Sequence, residues 1–369
     1  MEKIDLDKIY EKSNLKWLKS GTIFCTIHGS LAYGTAREGS DIDIRGIAIP
    51  PVREYNFGIL DQFHQAIFNE PYDTTIFGLR KFVELSINAN PNALEIIFTD
   101  PSDHLFVNDI GQSLLDIRDL FLSKKCRFSL GGYAMAQLKR INTHRSWLLR
   151  KDTIKKPERS DFGLADDKKS IPGEQILEIE AAIRKTVDEW NIDTTGMDDA
   201  TSIKFKKELE NKFIEMKLNT AEFDDYALRN IGLNDNLTAI FQKERAYRSA
   251  KREWAQYNEW KENRNKERFA LEEKHMMDTK HASHLIRLYR ECIELLETGK
   301  LNVKRPDAEE LLFIRDGGWS YEKIIEHSEK YDKILDELYK TSKIPKEPDR
   351  IAINKWLIST TEEYLEKNK

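Results

Sequence analysis

Cysteine is scarce. Cys25, Cys126 and Cys292 are the three in 369 residues, and none forms a C-x-x-C pair. That spacing argues against a thiolate zinc cluster and against a disulfide framework, and it fits a reducing compartment. Long apolar runs are missing as well: nothing approaches the roughly 20 residues that a membrane helix needs. The opening "MEKIDLDKIYEK" is acidic and amphipathic, unlike a secretory signal. Neither sign of charge dominates, since 59 Lys and Arg against 64 Asp and Glu leave a net charge of -5. A whole-protein electrostatic argument for nucleic-acid binding is therefore excluded, and any such argument must rest on a local patch. Repeats and low-complexity tracts are also absent. The expectation is a cytoplasmic soluble protein with no membrane partner.

What is present describes an α+β protein long enough for two domains, with 40% hydrophobic and 33% charged residues. Residues 20 to about 100 hold strand-like runs: "TIFCTIHG", the alternating "DIDIRGIAIP", "FHQAIFNE" and "PYDTTIF". Helices are expected over 5–19, in "TIFGLRKFVELSIN" and after Pro91. From about residue 105 the spacing reads as helical almost throughout, including "GYAMAQLKRINTHRSWLL", "GEQILEIEAAIRKTVDEWN", "FKKELENKFIEMKL" and "TKHASHLIRLYRECIELLETG". The expected division is a small mixed-sheet domain over 1–110 and a larger helical domain over 111–369. A charged stretch at about 165–250 has the look of an insertion.

The chemistry concentrates in "HGSLAYGTAREGSDIDIRG". On a strand, Asp41 and Asp43 would point the same way, because side chains alternate faces. Two carboxylates so placed repel unless a cation lies between them. Mg²⁺, or Mn²⁺, takes oxygen ligands and suits the pair, with phosphates completing its shell. Upstream, Gly29 admits a ligand close to the backbone, and a helix opening at Ser30 offers N–H and hydroxyl donors to an anion. A nucleoside triphosphate with its metal would bridge the two elements. Arg45 falls on the same face as Asp41 and Asp43, where it would contact phosphate or neutralise a carboxylate. Phosphoryl-type transfer calls for a further acid. Glu70 and Asp73 are the candidates, and Asp73 is preferred because Glu70 precedes Pro71 and suits a turn. Tyr33 either touches nucleotide or packs, and His28 suits a buried position. A D-x-D or a Gly-Ser alone is commonplace; strand, Gly-Ser, D-x-D and a later strand acid in series are not.

These residues resemble the DNA polymerase beta-like nucleotidyltransferase superfamily. The longer "AYGT…SDIDIRG" form is similar to its RNA repair-associated, RlaP-like branch. The resemblance runs over about 20–150 and 255–320, and leaves about 165–250 unmatched. It implies NMP transfer from an NTP, with Gly29 and Ser30 holding the triphosphate. It further implies Asp41, Asp43 and Asp73 as metal ligands and catalytic acids. The match over "DTKHASHLIRLYRE" marks Lys280, His281 and Arg287 as nucleotide-site candidates.

The acceptor is less determined. Eleven Lys and Arg between 124 and 159 face two acids, Asp152 and Glu158. Lys139, Arg140, His144 and Arg145, with Tyr133 and Trp147 interleaved, form a candidate RNA surface or a solvated face over packed aromatics. His281 and His284 share a helix face and could ligate a metal, but no third ligand is evident nearby, so they read as cleft groups that contact nucleotide or as groups that help cap the core. Arg315 is another cleft candidate. A protein or small-molecule acceptor, or an inactive nucleotide- or RNA-binding module, remain the alternatives to an RNA end.

Overall fold

The computed structural model describes residues 4–58, 61–164, 177 and 235–368. It divides into two compact units, one of Met1–Leu148 with Phe269–Lys369 and one of Leu149–Arg268. The boundary expected at residue 110 is not where the chain divides. The reason is a shared core: Phe24, Ile47 and Phe82 of the sheet region belong to the same buried cluster as Phe121, Ile141, Leu288, Tyr289 and Ile353.

The first unit opens with a five-stranded mixed sheet in the order β3-β4-β2-β1-β5. β1 (Thr22–His28) is buried at all seven positions, as its β-branched and aromatic sequence requires of a strand covered on both faces. It runs antiparallel to β2 (Asp43–Ala48) and to β5 (His104–Val107). β4 (Asp73–Gly78) lies parallel to β2, and β3 (Gln65–Phe68) closes the other edge. β2 and β4 share a gradient. Their first residues are polar and accessible, and their last three are buried. The acidic ends of both strands therefore emerge together at one margin of the sheet.

The helix expected over 5–19 is two short ones, α1 (Asp7–Glu11) and α2 (Leu18–Gly21). Between them Ser13 Oγ accepts the Leu15 N–H at 3.0 Å, a local bond that competes with the helical ladder. A single turn, α3 (Gly29–Tyr33), follows β1, and α4 (Arg53–Phe57) follows β2. α5 (Leu79–Ile87) begins after "TIF" because Thr75, Ile76 and Phe77 pair with β2. It buries Leu79, Phe82, Val83 and Ser86, the i, i+3, i+4, i+7 stripe of a helix on a sheet. After α6 (Pro91–Leu94), β5 occupies the start of the region read as helical. Four residues are too few to show strand alternation.

The helices that complete the first unit are α7 (Asp109–Asp116), most of α8 (Cys126–Arg150), the end of α10 (Lys266–His275), α11 (Thr279–Thr298), α12 (Ala308–Arg315), α13 (Tyr321–Thr341) and α14 (Arg350–Lys367). α11 is the pivot: twelve of its twenty residues are buried, and Gly299 stops it in the left-handed conformation at φ 70°. α12 and Arg305 reach back to the loop after α3. Arg315 Nη1 donates to Thr35 O at 3.0 Å, and the Arg305 N–H donates to Tyr33 O at 3.2 Å. Arg315 is thus a tie between helix and loop.

In the second unit, α9 (Asp235–Glu262) packs against a short helix at Arg159–Phe162. Phe162 meets Tyr247 edge-on at 5.8 Å. The charged stretch over 165–250, with the helices expected at 173–191 and 205–218, lies mostly outside the described residues. Among the described residues no helix is long and apolar enough to cross a membrane.

Candidate active site

The β2–β4 register sets Asp43 directly beside Asp73. In a parallel pair, residues in register project their side chains to the same face of the sheet. Arg45 fills the space between them. Its Nη2 donates to Asp43 Oδ1 at 3.3 Å and its Nη1 to Asp73 Oδ1 at 3.1 Å. Glu70, the other candidate acid, lies in the preceding loop, exposed, with Lys12 at 3.1 Å.

Asp41 differs from expectation. It precedes β2 by two residues and is exposed, so the shared-face argument applies to Asp43 and Arg45 and does not include Asp41. Its charge nonetheless reaches the site. Burial pushes the Asp43 carboxyl above its usual range, Arg45 and Lys280 oppose the rise, and the charges of Asp73 and Asp41 add to it. Three carboxylates thus gather at the margin where β2 and β4 begin.

The Gly-Ser loop closes over this cluster. Gly29 has φ 65°, a conformation costly for any residue with a Cβ. A Cβ there would also collide with Asp43 Oδ2. Glycine is therefore required twice, once by the backbone and once by the carboxylate packed against it. Ser30 is half-buried beside Gly29 on the single turn α3. One turn carries little macrodipole, so anion binding here would rest on its N–H groups and the Ser30 hydroxyl.

Those residues fit a divalent cation with a triphosphate. The donor set is all oxygen, as Mg²⁺ and Mn²⁺ prefer, and the crowded, partly desolvated Asp43 gains most from a neighbouring cation. Arg45 is occupied by the carboxylates, which makes it a counter-ion to the cluster here, the second of the two roles expected of it.

One further expectation is corrected, and one left open is decided. Arg287 is buried at 3% exposure. Its Nη1 donates to Glu95 Oε1 at 3.0 Å and Glu291 Oε1 at 2.6 Å, and its Nη2 to His284 Nδ1 at 3.2 Å. Its guanidinium also lies 3.7 Å over the Tyr33 ring. The Tyr33 hydroxyl donates to Glu95 Oε2 at 2.7 Å. Arg287 is buried in this network behind α3 and does not face nucleotide, while the half-buried Tyr33 packs into it, one of the two roles expected of it. Nothing in their sequence spacing distinguishes this role from a cleft role, because Glu95 lies 192 positions from Arg287. His28, opposite Asp43 in the β1–β2 register, is buried as expected, 3.6 Å from Glu95. Burial pulls its imidazole down to about 4 despite Glu95, so it is neutral at pH 7.

Lys280 is exposed, and its charge reaches Asp43 from the first turn of α11. It also lowers His284, chiefly depressed by burial. His284 lines a cavity of about 630 Å³ with Asn92, Tyr133, Gln137 and Arg140. Gln137 Oε1 is buried there without a hydrogen-bond partner among the described residues.

Much of the basic run is consumed internally. Arg127 pairs with Asp332 and Asp336, Lys125 with Glu347, Arg150 with Glu253, and Arg159 with Glu244. Arg145 donates to Met276 O at 2.9 Å and lies 4.1 Å over the Tyr321 ring. His144 turns to Asp278 at 3.0 Å. As a continuous phosphate-tracking face the run is therefore corrected: Arg145 and His144 are held inward, while Lys139 and Arg140 remain exposed.

Residues 2–155 match the RlaP family, described as an RNA repair pathway DNA polymerase beta family. The matched stretch contains the whole sheet, Gly29, Ser30, Asp41, Asp43 and Asp73, and over these residues the chain is similar to the RlaP branch of the polymerase beta-like proteins. The likeness expected over 255–320 falls outside the match. No curated protein and no solved structure matches the chain.

Proposed function

We propose that this protein is a divalent-metal-dependent nucleotidyltransferase that moves an NMP from an NTP to the hydroxyl of an RNA end and releases pyrophosphate. The observation that carries the reading is the register of Asp43 with Asp73, under a Gly29 that packs its backbone onto the Asp43 carboxylate. Asp41, Asp43 and Asp73 would hold Mg²⁺ or Mn²⁺, which supplies charge stabilisation at the attacking and leaving oxygens.

The chain's own groups do the rest. The N–H groups of the Gly29–Ser30 turn and the Ser30 hydroxyl orient the triphosphate so that its α-phosphorus faces the carboxylates. Asp73, the more exposed of the register pair, is placed to accept the proton of the attacking hydroxyl. Lys280 adds positive charge on the side where pyrophosphate would depart. Arg45 bridges Asp43 and Asp73 and holds both carboxylates turned toward the margin before ligands arrive. The RNA end is favoured as acceptor by the family match and by the cavity beside Arg140, where Tyr133 offers a stacking ring and Gln137 an unused acceptor.

The test is incubation of purified protein with α-phosphate-labelled NTPs, Mg²⁺ or Mn²⁺ and RNA bearing a free 3′ hydroxyl. The expected result is label on RNA with one pyrophosphate released per transfer, abolished in Asp41→Ala/Asp43→Ala. Label on the protein or on a small molecule instead would move the acceptor. Nucleotide binding without any transfer would make the chain a binding module.

A further inference from the structure

Two imidazoles from separate helices converge on one buried carboxylate. Asp278 precedes α11 and caps it, its Oδ1 accepting the His281 N–H at 3.1 Å. The other oxygen, Oδ2, lies 3.0 Å from His144 Nδ1 on α8 and 3.5 Å from His281 Nε2. The three ligand atoms all fall within 4.8 Å of one another. Asp278 is wholly buried, and the two imidazoles are 12% and 19% exposed.

We propose that His144, Asp278 and His281 form a transition-metal site, with Zn²⁺ the ion it suits best, that fastens α8 to the start of α11. The donor set argues for this. Two borderline imidazoles with one carboxylate are a set and a number of ligands typical of zinc, which binds nitrogen at about 2.0–2.1 Å and carboxylate oxygen at about 2.0–2.2 Å. A small side-chain movement draws three atoms already this close onto one ion. The carboxylates at the sheet margin offer only oxygen and suit Mg²⁺ or Mn²⁺, so the two sites sort metals by chemistry.

The surroundings hold the three ligands in place. His144 stacks on Trp147 with ring centroids 5.4 Å apart. Asp278 is fixed by its cap. The turn before it contains Met276 at φ 52°, an uncommon conformation for a residue with a Cβ, and Arg145 holds its carbonyl. Orientation of ligands by such partners is the usual companion of a metal site. Sequence spacing pointed to His281 with His284. In the fold His284 accepts from Arg287 instead, and His144 supplies the second imidazole from another helix. Lys280 sits between Asp278 and His281 in the chain and reaches Asp43, so the clamp also sets where that lysine starts.

The test uses the full chain with any affinity tag removed. Elemental analysis, competition against a zinc-chelating dye and Co²⁺ absorption spectra are read for the parent, His144→Ala, His281→Gln and Asp41→Ala/Asp43→Ala. The expected result is about one equivalent of zinc per chain and intense visible Co²⁺ bands from a four-coordinate site. Both are lost in His144→Ala and in His281→Gln and kept in the aspartate double variant. His281→Gln retains a hydrogen-bond donor toward Asp278, so it separates a metal ligand from a simple hydrogen-bonding role and guards against a fold lost in His144→Ala. Absence of zinc binding in the parent, or binding that survives in a folded His281→Gln, overturns the proposal. Neither outcome depends on nucleotide transfer.

Discussion

Two clusters near the end of β1 are built to one formula, two carboxylates sharing one arginine. At the sheet margin Asp43 and Asp73 share Arg45; behind α3, Glu95 and Glu291 share Arg287. They differ in access. The side chains of Asp43 and Asp73 are 26% and 55% exposed, whereas Arg287, Glu95 and Glu291 are exposed by 4% or less. Where water and ligands enter, surplus negative charge is an invitation to a cation. Where they do not, the surplus must be met by protons and by the fold. Burial pushes both Glu95 and Glu291 up. Arg287, with His28 and the Tyr33 hydroxyl, reverses this for Glu95 and holds it below its usual range, while Glu291 stays above its own. Equal composition gives an accessible cluster in one place and a rivet in the other.

The widest separation should come from removing acids at the margin. Asp41→Ala/Asp43→Ala is expected to lower NMP transfer by about a thousandfold or more, since metal-based charge stabilisation amounts to several kcal/mol. Its thermal midpoint should stay close to the parent's. A melting curve and a single-turnover assay on the same preparation check this, and a collapse in stability together with activity would erase the distinction between the clusters. The reciprocal change is Arg287→Met. Breaking a buried ion network by removing one partner costs about 3–5 kcal/mol, because charges remain buried without compensation. Chemical denaturation should show that loss, and a variant of parent stability with impaired nucleotide binding would return Arg287 to the cleft.

The two clusters also explain what could be read in advance. Asp43, Gly29 and Ser30 announce themselves because strand alternation, a turn residue and a second acid fall within fifteen positions. Asp73 is further away, yet a strand-opening acid is a recognisable feature. β1, β2 and the large helices follow from local periodicity. What stays hidden is set by pairing between distant segments. Arg45 has the alternation of a phosphate ligand, and only the parallel register shows that both carboxylates occupy it. Arg287 and His281 have the same helical spacing to their neighbours, but one meets Glu95 in the core and the other meets His144. β5 is too short to have a pattern, and the basic run hides its partners on α9, α13 and beyond.

A subtler contrast lies in pH dependence. Burial pushes Glu291 from 4.5 up to about 8. A raised folded value means that the folded state favours the protonated form. The stability this proton contributes is complete below pH 4.5 and is lost as pH rises through about 8. Glu291→Gln fixes the neutral form, so its midpoint should fall less than the parent's between about pH 5 and about pH 9. Parallel curves for the two proteins would show that Arg287 keeps Glu291 ionised throughout.

The smallest effect tests the outer cluster by the same logic. Asp43 is also raised by burial, with Asp73 and Asp41 adding to the rise. Its ionised form therefore weighs against folding above pH 3.8, and the cost is present at neutral pH in a chelator. Asp43→Asn should accordingly melt slightly higher than the parent in chelator, by a degree or two if the relief is about half a kcal/mol. Adding Mg²⁺ with NTP should raise the parent's midpoint and leave the variant's nearly unchanged, since a ligand stabilises in proportion to its binding to the folded state. The order of the two proteins would then reverse on adding ligand. No comparable reversal is open to Glu291, because no ligand reaches it. If Asp43→Asn instead melts below the parent in chelator, the Arg45 contacts outweigh carboxylate repulsion, and the outer cluster is a rivet like the inner one.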